Sequence, residues 1–330
     1  MESSLRPMTL GEILDRTAQL YRSNFLLFAG IFAVYSGVAL VLGLVQIGMS
    51  VLLKAQHMAT AEIFVSASIN VINLLLMFLL FGAATAAISR AVAWVNLGEP
   101  ATIRGAYAST LPRLGRYLWL MIITFFRVWL PFVLFYAVYF GFLLYYGFNR
   151  MGARTGAAKL PAGAANPQDA LIFGLVSCVF LLLLIPVIVY TILMSLRYAL
   201  AIPACVVENL KARQSIRRSI ELAKGAWGRI FLLMLLIGVI KLVFIVLTQF
   251  FVFVAAFKHP GQQLGPGLLA LSQVIGFFTN SFLEPIWGAG ITLFYYDQRV
   301  RKEGYDIEWM MQAAGLTAPA TPQNPGAAHE

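Results

Sequence analysis

The chain has 330 residues and a net charge of +10; 60% of its residues are hydrophobic and only 12% are charged. Charged residues make up about a quarter of an ordinary soluble domain, so this composition excludes one and leaves room for little beyond a six-helix bundle. In a soluble protein the positive excess would suggest nucleic acid; here its placement points to anionic lipid headgroups instead, and no nucleic-acid partner is expected.

In chain order, residues 1–24 form a polar leader to the first apolar run, with Leu10, Ile13, Leu14, Thr17 and Tyr21 on one helical face and Glu12, Asp15, Arg16 and Arg22 elsewhere. Thr9 and Glu12 have capping-box spacing, which predicts that the helix starts there. The first apolar run is too long for a signal-peptide core and has no small-residue cleavage site, so it is expected to remain in the mature protein. Apolar runs follow at 25–53 and 63–97. Gly98 and Pro100 then end one helix before Ile103, Tyr107, Leu111 and Leu114 begin a second amphipathic piece, weakened at its centre by Pro112. Runs at 117–149 and 170–206 come next, then a third amphipathic piece with Ile216, Ile220, Ala223 and Trp227 on one side and Arg213, Arg217 and Lys224 on another. The last runs are 229–257 and 268–298. Each run exceeds the ~20 residues that cross a hydrocarbon core. Cys178 and Cys205, ~40 Å apart on a continuous fourth helix, cannot bridge each other. Residues 311–330 read as a disordered tail.

The predicted fold is an all-α polytopic membrane protein: six transmembrane helices over 25–310 with amphipathic interfacial helices on the cytoplasmic side. Assigning the connections alternately to two sides separates the 24 basic residues: two lie inside spans, five (Lys54, Arg150, Arg154, Lys159 and Lys258) fall on one side and seventeen on the other. That asymmetry puts both termini in the cytoplasm. Aligning the amphipathic pieces on Leu10, Ile103 and Ile216 gives periods of 93 and 113 residues, which suggests three units of interfacial helix, span, outer loop and span. Basic cytoplasmic connections would also arise in any even-spanning protein from the charge rule alone.

Between Glu208 and Arg229 there are six basic residues (Lys211, Arg213, Arg217, Arg218, Lys224 and Arg229) against two acidic ones. They are candidate contacts for anionic lipid, at about 1 kcal/mol per charge near the surface. Arg127, Lys241 and Glu284 lie ~15, ~18 and ~21 Å into their spans, close to one level. Each costs about 2.5–3.5 kcal/mol at a helix centre unless paired or wetted, so Glu284 is expected to pair with Lys241 or Arg127. One carboxylate does not balance two cations, which leaves room for a wet cleft or an anionic ligand. Pro186 and Pro285 are expected to kink the fourth and sixth spans. The charges and prolines fit either a structural ion pair that sets helix register or a transport site. Asn70, Asn73 and Asn280 are expected to hydrogen-bond between helices.

The three histidines, His57, His259 and His329, fall in loops or the tail, and no two have metal-ligand spacing on a helix. No phosphate-cradling or dinucleotide motif is present. Neither metal nor cofactor is expected, and catalysis is disfavoured.

The stretches LRPMTLGEILDRTAQLYRSNF (5–25), ENLKARQSIRRSIELAKGAWGRIF (208–231) and YYDQRVRKEGYDIEWM (295–310) resemble the bacterial six-span family named for the glycerophosphoryl diester phosphodiesterase membrane domain. Ser219, Lys224, Gly225 and Trp227 carry its most specific part. The resemblance implies a bacterial cytoplasmic membrane and the six-span fold. Some relatives join this region to a phosphodiesterase barrel; this chain has no such barrel, so the likeness implies no hydrolytic activity. The expectation is therefore a non-enzymatic membrane protein that organises lipids or partner membrane proteins. The alternative is a transporter or lipid-handling protein that uses Arg127, Lys241 and Glu284.

Overall fold

Thr9 starts the first helix as its spacing with Glu12 predicts. Its Oγ1 accepts from the Glu12 amide at 3.3 Å, and its own amide donates to Glu12 Oε2 at 2.7 Å. Helix α1 (Leu10–Ser23) buries Ile13, Thr17 and Leu20 and leaves its charged face outside. The computed structural model describes residues 7–55, 59–155, 167–258 and 265–304; the tail, the segment at 306–310 and His57, His259 and His329 lie outside the described residues. Then come α2 (Phe25–Ala55), α3 (Ala59–Asn96), the short α4 (Ile103–Thr110), a 3₁₀ turn at Leu111–Arg113, and α5 (Leu114–Thr155). After α5 follow α6 (Pro167–Tyr198), α7 (Ala201–Val207), α8 (Ala212–Ala223), α9 (Trp227–Lys258) and α10 (Pro266–Glu303). Of the described residues 92% are helical and none is in a strand, and α2, α3, α5, α6, α9 and α10 are long and apolar enough to cross a membrane. The protein is a multi-pass membrane protein.

The fourth apolar run is not one helix. α6 stops at Tyr198, and Ser219 of α8 fills the gap: its Oγ donates to Arg197 O (2.7 Å) and accepts from the Leu200 amide (3.2 Å). One buried hydroxyl thus satisfies a donor and an acceptor that a helix break exposes. Hydropathy cannot see such a break, because α7 is as apolar as the span before it. The thiols of Cys178, exposed on α6, and Cys205, buried in α7, are both free. Between α8 and α9, Gly225 has φ +78, a conformation that side chains with a Cβ rarely adopt.

The order short helix, span, span recurs three times. The spans pair as hairpins α2–α3, α5–α6 and α9–α10, and a ring closes through α3–α5, α6–α9 and the most extensive pairing of all, α10–α2. Each short helix packs on the end of the preceding hairpin, taken cyclically: α1 on α10, α4 on α3, and α8 on α6 and α7. The α5–α6 hairpin is the outlying member. It is held by its own aromatic contacts, such as Phe135–Phe180 (5.6 Å) and Tyr139–Phe180 (4.9 Å), and α6 touches α9 only slightly.

The core gathers at the end that carries α1, α4, α7 and α8. Ile13, Phe28, Ile31, Phe32, Ile88, Leu200, Leu222, Ile230 and Phe294 are all fully or nearly fully buried there. Towards the other end leucines, valines and phenylalanines face outward, Leu181, Leu247 and Phe251 among them, as hydrocarbon permits and water does not. Small residues bring α3 and α10 together. A Cβ added to Gly288 would stand 2.6 Å from Ile88 Cγ2 and 3.3 Å from its Cγ1, and Ile88 is fully buried. Gly288→Leu is expected to cost about 1–3 kcal/mol through overpacking. A melting temperature in detergent equal to that of the parent would show that the contact is looser than described.

Candidate functional site

Two acidic residues tie the basic end together. Asp297 is fully buried, and its carboxylate accepts from Arg301 Nε (3.0 and 3.1 Å), the Met8 amide (2.7 Å) and Gln298 Nε2 (3.1 Å), with Arg229 Nη2 3.1 Å away. Arg229 and Arg301 also donate to Met8 O at 2.9 and 2.6 Å. The chain leading into α1 is thereby fastened to α9 and α10. The second acid, Glu208, accepts from Arg218 Nε (2.9 and 3.0 Å) and Tyr295 Oη (2.5 Å). Arg218 continues to Glu303, at 2.7 Å from Nη2. Burial works against the charge of Arg218, but hydrogen bonds to Glu303 and Glu208 outweigh it and raise its pKa above the ordinary arginine value. Lys302 Nζ reaches Glu221 O (2.8 Å) and Lys224 O (2.6 Å), closing the end of α8.

These contacts divide the six basic residues expected at a lipid surface. Arg218 and Arg229 are spent on internal acids, so they hold the bundle together. Lys211, Arg213, Arg217 and Lys224 remain on the exposed side of the structure. Charge density along the sequence could not separate the two groups, because their partners lie some 70 to 85 residues away on α10 or just before α8.

The mid-depth charges also separate. Lys241 Nζ donates to Glu284 Oε1 at 2.7 Å across α9 and α10, which is one of the two pairings expected. Arg127 does not join them, because α5 packs chiefly on α3, α6 and the short helices. Pro186 and Pro285 both lie inside unbroken helices, so neither ends its span. Near Pro285, Tyr21 Oη donates to Phe282 O at 2.8 Å, and burial pushes the Tyr21 pKa up to about 12. Sequence reading passed over a third proline, Pro131, inside α5. It lacks the amide that would bond Arg127 O, and Tyr190 Oη of α6 donates to that carbonyl instead, at 3.2 Å. Asn70 accepts from Gln46 Nε2 at 3.0 Å across α2 and α3; Asn73 and Asn280 make no such bond among the described residues.

Arg127 belongs to a different site. With Arg213 and Arg217 it lines a cavity of about 410 Å³ between α5 and α8, whose other walls are Trp119, Ile123, Ile216 and Ile220. The residues come from two helical stripes: 119, 123 and 127 on α5 at i, i+4 and i+8, and 213, 216, 217 and 220 on α8 at i, i+3, i+4 and i+7. Among the described residues no carboxylate or other acceptor is within hydrogen-bond or ion-pair reach of these three guanidiniums. A pocket with apolar walls and three unmatched arginines is suited to an amphiphilic anion. The spacing of Trp119, Ile123 and Arg127 was a visible signal, but only the packing of α8 against α5 shows what it faces.

The family model described as a domain of unknown function (DUF7847) matches residues 8–296. No curated protein and no solved structure matches the chain. Nothing in the family match links the chain to the phosphodiesterase membrane-domain family that residues 5–25, 208–231 and 295–310 resemble.

Proposed function

We propose that this chain, which belongs to the DUF7847 family, is a non-catalytic protein of the bacterial cytoplasmic membrane that binds and organises anionic lipid of the inner leaflet. The observation that carries this reading is the cavity lined by Arg127, Arg213 and Arg217, none of which has an acidic partner among the described residues. The separation of seventeen basic residues from five supports the orientation, with the cavity's α8 side and both termini inward. Anionic headgroups are the charge source at that boundary, and each cation near it gains about 1 kcal/mol from them. Partner membrane proteins would then assemble on lipid held this way. The alternative of a carrier that uses Arg127, Lys241 and Glu284 together is less well supported, since Lys241 and Glu284 satisfy each other and Arg127 lies on another helix pair.

Native mass spectrometry of the protein released from lipid discs with equal anionic and zwitterionic lipid tests this. The parent is expected to retain anionic lipid, and Arg213→Gln with Arg217→Gln to lower that retention about tenfold or more, from about 1 kcal/mol per charge. Equal retention by parent and variant would overturn the reading. Neutralising Lys211 and Lys224 instead should have the smaller effect, since neither lines the cavity.

A further inference from the structure

We infer that the cavity selects an amphiphile whose head is a phosphomonoester or diphosphate, carrying two or more negative charges, over the phosphodiester heads of ordinary anionic lipids. The inference rests on the reading of the cavity as an anionic-lipid site and specifies its ligand.

Charge is the first argument. Three arginines line one space of about 410 Å³, with no acid among the described residues in ion-pair reach of them. The three arginines bring three positive charges to the site. A phosphodiester brings one negative charge and leaves two cations unbalanced; a phosphomonoester brings about 1.5 to 2. The position of Arg127 sharpens the requirement. It stands thirteen residues along α5 from Leu114, about 20 Å, on a helix whose adjoining residues Phe125, Phe126, Trp129 and Leu130 face outward. Arg213 and Arg217, on a short surface helix, can be hydrated. Arg127, set farther along a membrane span, gains most from a counter-ion.

Stereochemistry points the same way. Arginine binds phosphate best through two parallel N–H···O bonds to one O–P–O edge. A phosphodiester has two free oxygens and therefore one such edge. A phosphomonoester has three free oxygens and three edges, one for each arginine of this site. Diphosphates offer still more. Lysine would not make this distinction, and the cavity contains none.

The walls decide between a lipid and a soluble phosphate. Trp119, Ile123, Ile216 and Ile220 supply apolar contact, and Trp119 is 55% exposed at the mouth of a membrane helix. Inorganic phosphate would leave Trp119, Ile123 and Ile220 partly uncovered, whereas an acyl or other hydrocarbon chain would lie against them.

The test uses the full chain in discs made from phosphatidylcholine with equal amounts of phosphatidic acid and phosphatidylglycerol of matched acyl chains, read by native mass spectrometry. Phosphatidic acid is expected to be retained at least tenfold over phosphatidylglycerol. The ratio should rise between pH 5 and pH 8, as the second ionisation of the monoester adds charge and the diester stays unchanged. Arg127→Lys should bring the ratio towards one while both anionic lipids are still preferred to phosphatidylcholine, because charge is kept and the fork lost. The parent's own ratio decides the matter even if the variant fails to fold. Equal retention of the two anionic lipids, both above phosphatidylcholine, overturns the inference and leaves anionic-lipid binding standing. Retention of neither above phosphatidylcholine overturns both. Displacement of phosphatidic acid by millimolar inorganic phosphate or pyrophosphate would assign the site to a soluble anion and overturn the lipid.

Discussion

Asp297→Ala is expected to destabilise the protein by about 3–5 kcal/mol, the cost of removing one partner from a buried ionic cluster. The carboxylate has no exposed surface and gathers two arginines from α9 and α10, the Gln298 amide group and the backbone amide of Met8. Alanine would leave Arg229 and Arg301 side by side with only Met8 O to share, and it would release the segment that leads into α1. Arg301→Gln should cost distinctly less. Arg301 is about a third exposed, and Arg229 still answers the carboxylate in its absence. Thermal unfolding in detergent, together with proteolysis of the N-terminal segment, reads both effects. An Asp297→Ala protein within 0.5 kcal/mol of the parent and equally protected at α1 would mean that the cluster does not hold this end together.

The second large effect belongs to Lys241 and Glu284. Replacing either with methionine should cost about 2–3 kcal/mol, slightly below the 2.5–3.5 kcal/mol of a fully unpaired charge at a span's centre because both side chains are partly exposed. The double replacement should be nearly neutral, since an apolar pair of similar size removes the burial penalty along with the attraction. The resulting coupling of about 4–6 kcal/mol is what a double-mutant cycle would report. Exchanging the charges, Lys241→Glu with Glu284→Lys, should restore most of the loss. Strictly additive single effects would show that the 2.7 Å contact contributes no stability.

Much of the molecule was legible before any coordinates. Hydropathy located the six spans because lipid imposes length and apolarity on every segment that crosses it. The start of α1 was legible because a capping box is a contact between residues three apart. The break after Tyr198 was not, since it depends on Ser219 arriving from another helix. Lys241 could be reduced to one of two cations facing Glu284, but depth alone does not say which helices are neighbours. Arg218 and Arg213 lie five residues apart and read alike as basic residues; one is spent on Glu208 and Glu303, and the other lines the cavity.

The order of residues along the chain by itself therefore determined the solvent in which this protein folds, its six membrane-spanning helices and the ends of those helices at which its cations collect. These follow from transfer free energies, which add along a helix whatever its neighbours are. The tertiary structure alone decided which charges are consumed as internal ties and which remain for a ligand. A counter-ion within 3 Å is worth more than any local preference, and only the packing of α8 against α5 and of α9 against α10 brings it there or withholds it.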